Sequence, residues 1–303
     1  MSVSQLNAVI ERIDAVKSQW SEETDLDRMR ADLEGLHTSF EGVATAVVEA
    51  VDANGVAAEW VHVPEAGASK DILYLHGGGF AVCSAKSHRH FATWLAAAAG
   101  ARVLVADYRL VPEFCFPHQL ADAQSAYSWL LTQDVHPSSI CVAGDSAGGG
   151  LALALIAKLK DEGAPLPACA CLISAWADMQ CTGESYRSLE EVDPVASTDM
   201  ALDMGRAYVA EAVDAAHPYA SPINADYSGF PPLMLQIGLR DIFLDDSRTV
   251  AACARQADVE VVLQEWPDMI HQWPMYASVL DEARESLSAM GDFIKRYCEP
   301  ADE

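Results

Sequence analysis

From residue 71 onward the chain alternates short, β-branched apolar runs with longer helix-forming stretches, and no other feature narrows its possible folds as much. The strand-like runs are DILYL (71–75), ARVLVADYRL (101–110), SICVAGD (139–145), ACACLISAW (168–176), PPLMLQIGLRD (231–241) and VEVVLQEWPD (259–268). Helix-like stretches lie near 87–99, 117–133, 147–162, 244–257 and 275–297. Such alternation specifies an α/β architecture, a mostly parallel sheet with helices on both faces. Upstream, the runs 44–51 and 56–63 flank Asp52-Ala53-Asn54-Gly55, a hairpin signal that adds an antiparallel pair and brings the expected sheet to eight strands. Residues 7–36 carry apolar positions at helical spacing, anchored by Trp20, and read as one or two amphipathic helices.

One interval breaks the rhythm. Residues 178–229 separate two strands by far more than an ordinary connection, and long insertions of this kind tend to be lids or binding elements. The expected organisation is therefore one catalytic unit, 44–177 with 230–303. Helices from 1–43 and the insertion 178–229 would form a helical cap over the strand ends, where open α/β sheets bind ligands.

The stretch CVAGDSAGGG (141–150) sets Ser146 at the junction of a buried strand and a helix. Gly144 and Gly148 flank it at minus two and plus two, where side chains would block a tight turn, so the turn lifts the hydroxyl clear of the sheet. Taken by itself the motif also fits a serine that merely caps the helix. A nucleophilic serine needs a base and an orienting carboxylate, and two further strand ends supply candidates, Asp241 and His271. Asp245 and Asp246 are rival acids at the start of the following helix, and either Asp241 or His271 alone fits an ordinary turn or packing residue. The carboxyl ends of parallel strands share one edge, so Ser146, Asp241 and His271 can converge. Donors for an oxyanion come from His76-Gly77-Gly78-Gly79 after the first parallel strand and from the Ala147 amide.

These elements together resemble the hormone-sensitive-lipase-like family of bacterial carboxylesterases. The resemblance rests on HGGGF (76–80), DYRLVPE (107–113), GDSAGG (144–149), ASPI (220–223), PPLMLQIGLRDIFLDDS (231–247) and WPDMIHQW (266–273), and it spans roughly residues 60–295. It implies the α/β-hydrolase fold, Ser146 as nucleophile, His271 as base, Asp241 as its acid, and Gly78, Gly79 and Ala147 as the oxyanion hole, with Gly77 as an alternative donor. Within DYR, an Asp107–Arg109 ion pair is expected to brace the oxyanion loop and Tyr108 to pack beneath it. Phe80, Trp273 and Tyr208 are expected substrate contacts, with Trp20, Phe40, Tyr186, Met200 and Tyr219 adding bulk in the cap. His217-Pro218 departs from the Asp-Pro of many relatives without touching a catalytic position.

Composition limits partners. Forty-five acidic against nineteen basic side chains give a formal charge of -26, which argues against nucleic acid and anionic membranes as partners and, for the small ester substrate that the resemblance implies, favours a neutral one. No signal peptide or long apolar span is evident, so a cytoplasmic protein is expected. The eight cysteines show no C-x-x-C pair and read as buried reduced thiols, with no metal and no cofactor implied. The strand VEVVLQEW falls last in the sheet order, an edge position that suggests a homodimer through it and the final helix. Amide, lactone or thioester hydrolysis by the same residues remains open, as does a non-catalytic ligand-binding member of the fold.

Overall fold

The computed structural model describes residues 3–298 apart from 22, 68, 69, 211 and 212; the outermost positions of the expected segments, 1–2 and 299–303, lie outside the described residues. Eight strands form one sheet: β1 Val47–Asp52, β2 Ala57–His62, β3 Asp71–Leu75, β4 Arg102–Ala106, β5 Ile140–Asp145, β6 Cys169–Ile173, β7 Leu233–Gly238 and β8 Val261–Trp266. Their order is β1-β2-β4-β3-β5-β6-β7-β8. The hairpin β1–β2 joins β4 antiparallel, and every later pairing is parallel.

The central strands are apolar because both faces are covered. Along β3, Ile72 and Tyr74 enter one core while Leu73 and Leu75 enter the other. The first core packs under α1 Val3–Lys17, α2 Leu26–Thr38, α3 Ala85–Ala99 and α9 Asp281–Tyr297. The second packs under α4 His118–Thr132, α5 Ala147–Asp161 and α8 Leu244–Gln256, with α6 Ser185–Ser188 and α7 Thr198–Val209 from the insertion. The expected α/β-hydrolase architecture and the edge position of β8 are both observed.

Several of the expected runs overshoot the strands at their ends, as 168–176 does β6 and 231–241 does β7, and two differences matter most. Only 102–106 of the run 101–110 is strand, because Asp107 turns away to accept the Ala85 amide at 2.9 Å and so supports the start of α3. The last helix begins at Asp281 rather than near 275, since Gln272 takes a left-handed φ of 56° and a short 3-10 turn, Trp273–Tyr276, intervenes.

The expected ion pair within DYR is also absent. Arg109 instead makes a fork to Asp122 of α4, with contacts of 2.6–3.1 Å, while Asp107 is occupied by Ala85. Tyr108 does lie beneath the glycine loop: its ring stacks on His76 at 4.3 Å and its hydroxyl donates to the His76 carbonyl at 2.5 Å. All eight cysteines are free thiols, five of them buried.

Candidate active site

Ser146 occupies the sharp turn between β5 and α5 with φ 51° and ψ -123°, a conformation that side-chain-bearing residues seldom adopt. Three backbone bonds hold it: its amide donates to the Ile173 carbonyl at 2.9 Å, and its own carbonyl accepts from Gly150 at 3.1 Å and Trp176 at 2.9 Å. The flanking glycines are steric requirements. A Cβ on Gly144 would press on the Gly148 carbonyl, and one on Gly148 would meet the Leu75 carbonyl of β3.

The strand ends bring three side chains into line. His271 Nε2 lies 3.0 Å from Ser146 Oγ, and its Nδ1 lies 2.9 Å from Asp241 Oδ2. The other carboxylate oxygen of Asp241 accepts the Phe243 amide at 2.9 Å, which fixes the carboxylate plane. Ser146, His271 and Asp241 are all buried. Burial alone would push the His271 pKa down, but the negative charges of Asp241, Asp193 and Asp145 outweigh it and hold the imidazole above its ordinary value. The rival acids face elsewhere. Asp245 accepts the Ser185 amide, and Asp246 accepts the Ala177 and Asp178 amides and the Tyr186 hydroxyl, so both anchor the insertion.

Beside this line the glycine loop turns back on itself with φ 106° at Gly78 and 59° at Gly79. Both residues border the cavity above Ser146. Gly77 does not, and its amide is already given to Asp145 Oδ1 at 3.0 Å. Asp145 is a residue that reasoning from the sequence passed over. Fully buried, it also accepts the Tyr74 hydroxyl at 2.6 Å and the Gln272 side-chain amide, and lies 3.4 Å from His88 Nε2. Burial opposes its charge, yet His88, Tyr74 and His76 prevail and its pKa falls to about 2. One carboxylate thus joins the glycine loop, the nucleophile turn and the loop carrying His271. Its place inside GDSAG was the available signal.

The cavity has a volume of about 110 Å³ and is partly open to solvent. Of the expected substrate contacts, Phe80, Trp273 and Tyr208, none borders it. Phe80 stacks on Tyr208 at 3.8 Å and joins the glycine loop to α7, and Trp273 packs against Trp266 in the core at 5.6 Å. Phe40, Tyr186 and Tyr219 are likewise outside the lining, whereas Trp20 and Met200 belong to it. Met204, one helical turn beyond Met200, completes that wall and stands against Gly79; the i, i+4 spacing on an amphipathic helix could have revealed it. Among the described residues no group of histidines, cysteines and carboxylates is arranged to hold a metal ion.

A buried Ser–His–Asp line at the carboxyl edge of a mostly parallel sheet defines a serine-hydrolase architecture. A family model described as the alpha/beta hydrolase fold matches residues 72–275. An acetyl-hydrolase of Streptomyces hygroscopicus is 42% identical over 238 residues, 78% of this chain and 79% of its own length. An esterase of Acinetobacter venetianus is 32% identical over 266 residues, 88% of this chain and 87% of its own. A crystal structure of an esterase from the bacterial hormone-sensitive lipase family superposes with a TM-score of 0.94 at 36% identity, covering 99% of this chain and 100% of that one. The chain is an enzyme of the α/β-hydrolase family and belongs to its bacterial hormone-sensitive-lipase branch.

Proposed function

We propose that this protein is a serine carboxylesterase acting on short-chain, neutral carboxylic esters through an acyl-enzyme. The observation that carries the reading is the continuous hydrogen-bonded line from Asp241 through His271 to Ser146, at 2.9 and 3.0 Å, ending beside a cavity bordered by two glycines. In this mechanism His271 takes the Ser146 proton as the hydroxyl attacks the ester carbonyl, and Asp241 stabilises the imidazolium that forms. The amides of Gly78, Gly79 and Ala147 receive the developing oxyanion, Gly77 being committed to Asp145. His271 then returns the proton to the leaving alcohol, and water repeats the attack on the acyl-serine.

The helices α1 and α2 and the insertion 178–229 are read as a cap, because Trp20, Leu33, Met200 and Met204 supply the apolar wall facing Ser146. That wall, rather than Phe80, Trp273 or Tyr208, is proposed to choose the acyl group. The half-buried edge strand β8 and α9 are proposed to pair two copies into a homodimer. Among the described residues no helix is long and apolar enough to cross a membrane.

Turnover of p-nitrophenyl esters beside the matching anilides, run in parallel with fluorophosphonate labelling, tests the reading. Ester hydrolysis with stoichiometric labelling of Ser146 is expected. Labelling without ester turnover would point to another acyl substrate, and no labelling would remove the nucleophile from the account.

A further inference from the structure

A fourth buried side chain lies close behind the triad and is unused in that mechanism. Asp193 comes from the insertion, between α6 and α7, and is 8% exposed. Its two carboxylate oxygens serve different parts of the molecule. Oδ2 accepts the Ile242 amide at 3.0 Å, the residue immediately after Asp241. Oδ1 accepts the amides of Val195 at 2.8 Å and Ala196 at 3.1 Å, and these two residues line the cavity. The same short segment is gripped from the opposite side by Lys17 of α1, whose ammonium donates to the carbonyls of Pro194 at 3.0 Å and Val195 at 3.1 Å.

We propose that Asp193 is a positioning residue for the catalytic base: through three backbone amides it ties the cavity wall at 195–196 to the loop that carries Asp241, and so brings a second carboxylate to the acid loop. The inference rests on the esterase reading. A segment that only closed a lid would need no charge at this point. A backbone carbonyl would hold one amide, and an uncharged side chain would avoid placing a carboxylate near Asp241, where like charge and burial both oppose ionisation. Burial and Asp241 together push the Asp193 pKa up, and the negative charge of Asp193 is among the groups that raise the His271 pKa. Lys17 faces Asp193 from α1, with Asp14 and Glu190 facing Lys17; Arg240, beside Asp241, donates to the Val192 carbonyl at 3.2 Å; Asp241, Asp145 and Tyr276 lie around His271 and Asp193.

The sign of the effect follows. An anion at 193 favours the imidazolium, so removing the charge lowers the pKa of His271 and moves the acidic limb of kcat/KM to lower pH, because catalysis requires the neutral imidazole. Two readouts on the whole protein separate this role from a structural one: the acidic limb of kcat/KM on p-nitrophenyl butyrate, and an NMR titration of the His271 ring in the resting enzyme. Asp193→Asn is expected to shift both downward by about half a pH unit or more, roughly threefold in the protonation equilibrium, with a lower kcat. Asp193→Ser, which keeps a small acceptor without charge, gives the same direction if the Asn variant does not fold, and Asp193→Glu restores the wild-type limb. A lowered Tm with both titrations unmoved in the neutral variants overturns the proposal. A wild-type enzyme that hydrolyses no ester but whose His271 titration still shifts on Asp193→Asn would sink the esterase reading while leaving the Asp193 assignment standing.

Discussion

The Gly77 amide donates to Asp145 across 3.0 Å, so the residue next to the nucleophile also holds the loop that carries the oxyanion donors. Substrate polarisation and nucleophile placement therefore share one buried anchor. Asp145→Asn keeps an acceptor for one or two of the four groups around it and should lower kcat by about 10- to 10²-fold with little change in KM, as expected when donors lose their aim. Steady-state kinetics on p-nitrophenyl acetate check this; an unchanged kcat would free the loop from Asp145.

The same carboxylate makes a pH prediction. Its folded pKa, about 2, lies below the value of about 3.8 for a free aspartate, so its contribution is complete above pH 4 and disappears as pH falls toward 2. Denaturant unfolding of the wild-type protein should therefore lose stability between pH 4 and 2. Asp145→Asn, less stable throughout, should lose on the order of 2 kcal/mol less over that window. Equal slopes for the two proteins would contradict the assignment.

Ser146→Ala should abolish fluorophosphonate labelling and reduce ester turnover by at least about 10⁴-fold while far-ultraviolet circular dichroism is unchanged. Among the described residues the hydroxyl's hydrogen-bond partner is His271, so the fold has little need of it.

Asp241→Asn should reduce kcat about 10³- to 10⁴-fold, because the amide favours the wrong imidazole tautomer. Asp246→Asn should be mild. Its Oδ2 accepts the Ala177 and Asp178 amides and the Tyr186 hydroxyl, an acceptor role that the Asn carbonyl retains, and burial raises its pKa, so loss of the charge costs little at this site. A larger kinetic loss from Asp246→Asn than from Asp241→Asn would reverse the roles.

Much of the frame was legible because local chemistry writes it. The apolar runs, Asn54-Gly55 and the glycines around Ser146 act through neighbours close in sequence, and strand ends in a parallel sheet had to bring Ser146, Asp241 and His271 to one edge. What failed was the choice among distant partners. Arg109 had a nearby acid at Asp107 and found a better one at Asp122, and nothing local says that Asp107 would be taken by the first turn of α3. Phe80 and Trp273 adjoin functional residues in the chain yet turn into the core, since a large ring gains most where both its faces are covered. Asp193 offered no pattern at all, because its meaning depends on a loop 49 positions away.

Chain-length selectivity should follow the small cavity. Each added methylene gains about 0.8 kcal/mol only while wall remains to cover, so kcat/KM should peak at about two to six acyl carbons and be small beyond about ten. Met204→Ala, which enlarges the wall beside Gly79, should raise kcat/KM for eight-carbon esters several-fold relative to acetate. A wild-type maximum at twelve carbons or more would mean that the cavity opens into a channel.

The cavity wall is assembled from residues that a ribosome delivers far apart. Gln5 of α1 meets Asp281, 276 positions later, and Lys17 meets a segment 177 positions later, while His271 is itself near the end of the chain. Helices α1 and α2 thus precede some of the surfaces they close on, although α2 already meets α3 through Glu34 and Lys86. A growing chain short of Tyr276 lacks part of the cavity lining, and until residue 271 has emerged it has no base either. Hydrolytic activity in a translation reaction should therefore report chains extended through Tyr276, since both the base and the last of the lining lie in that stretch.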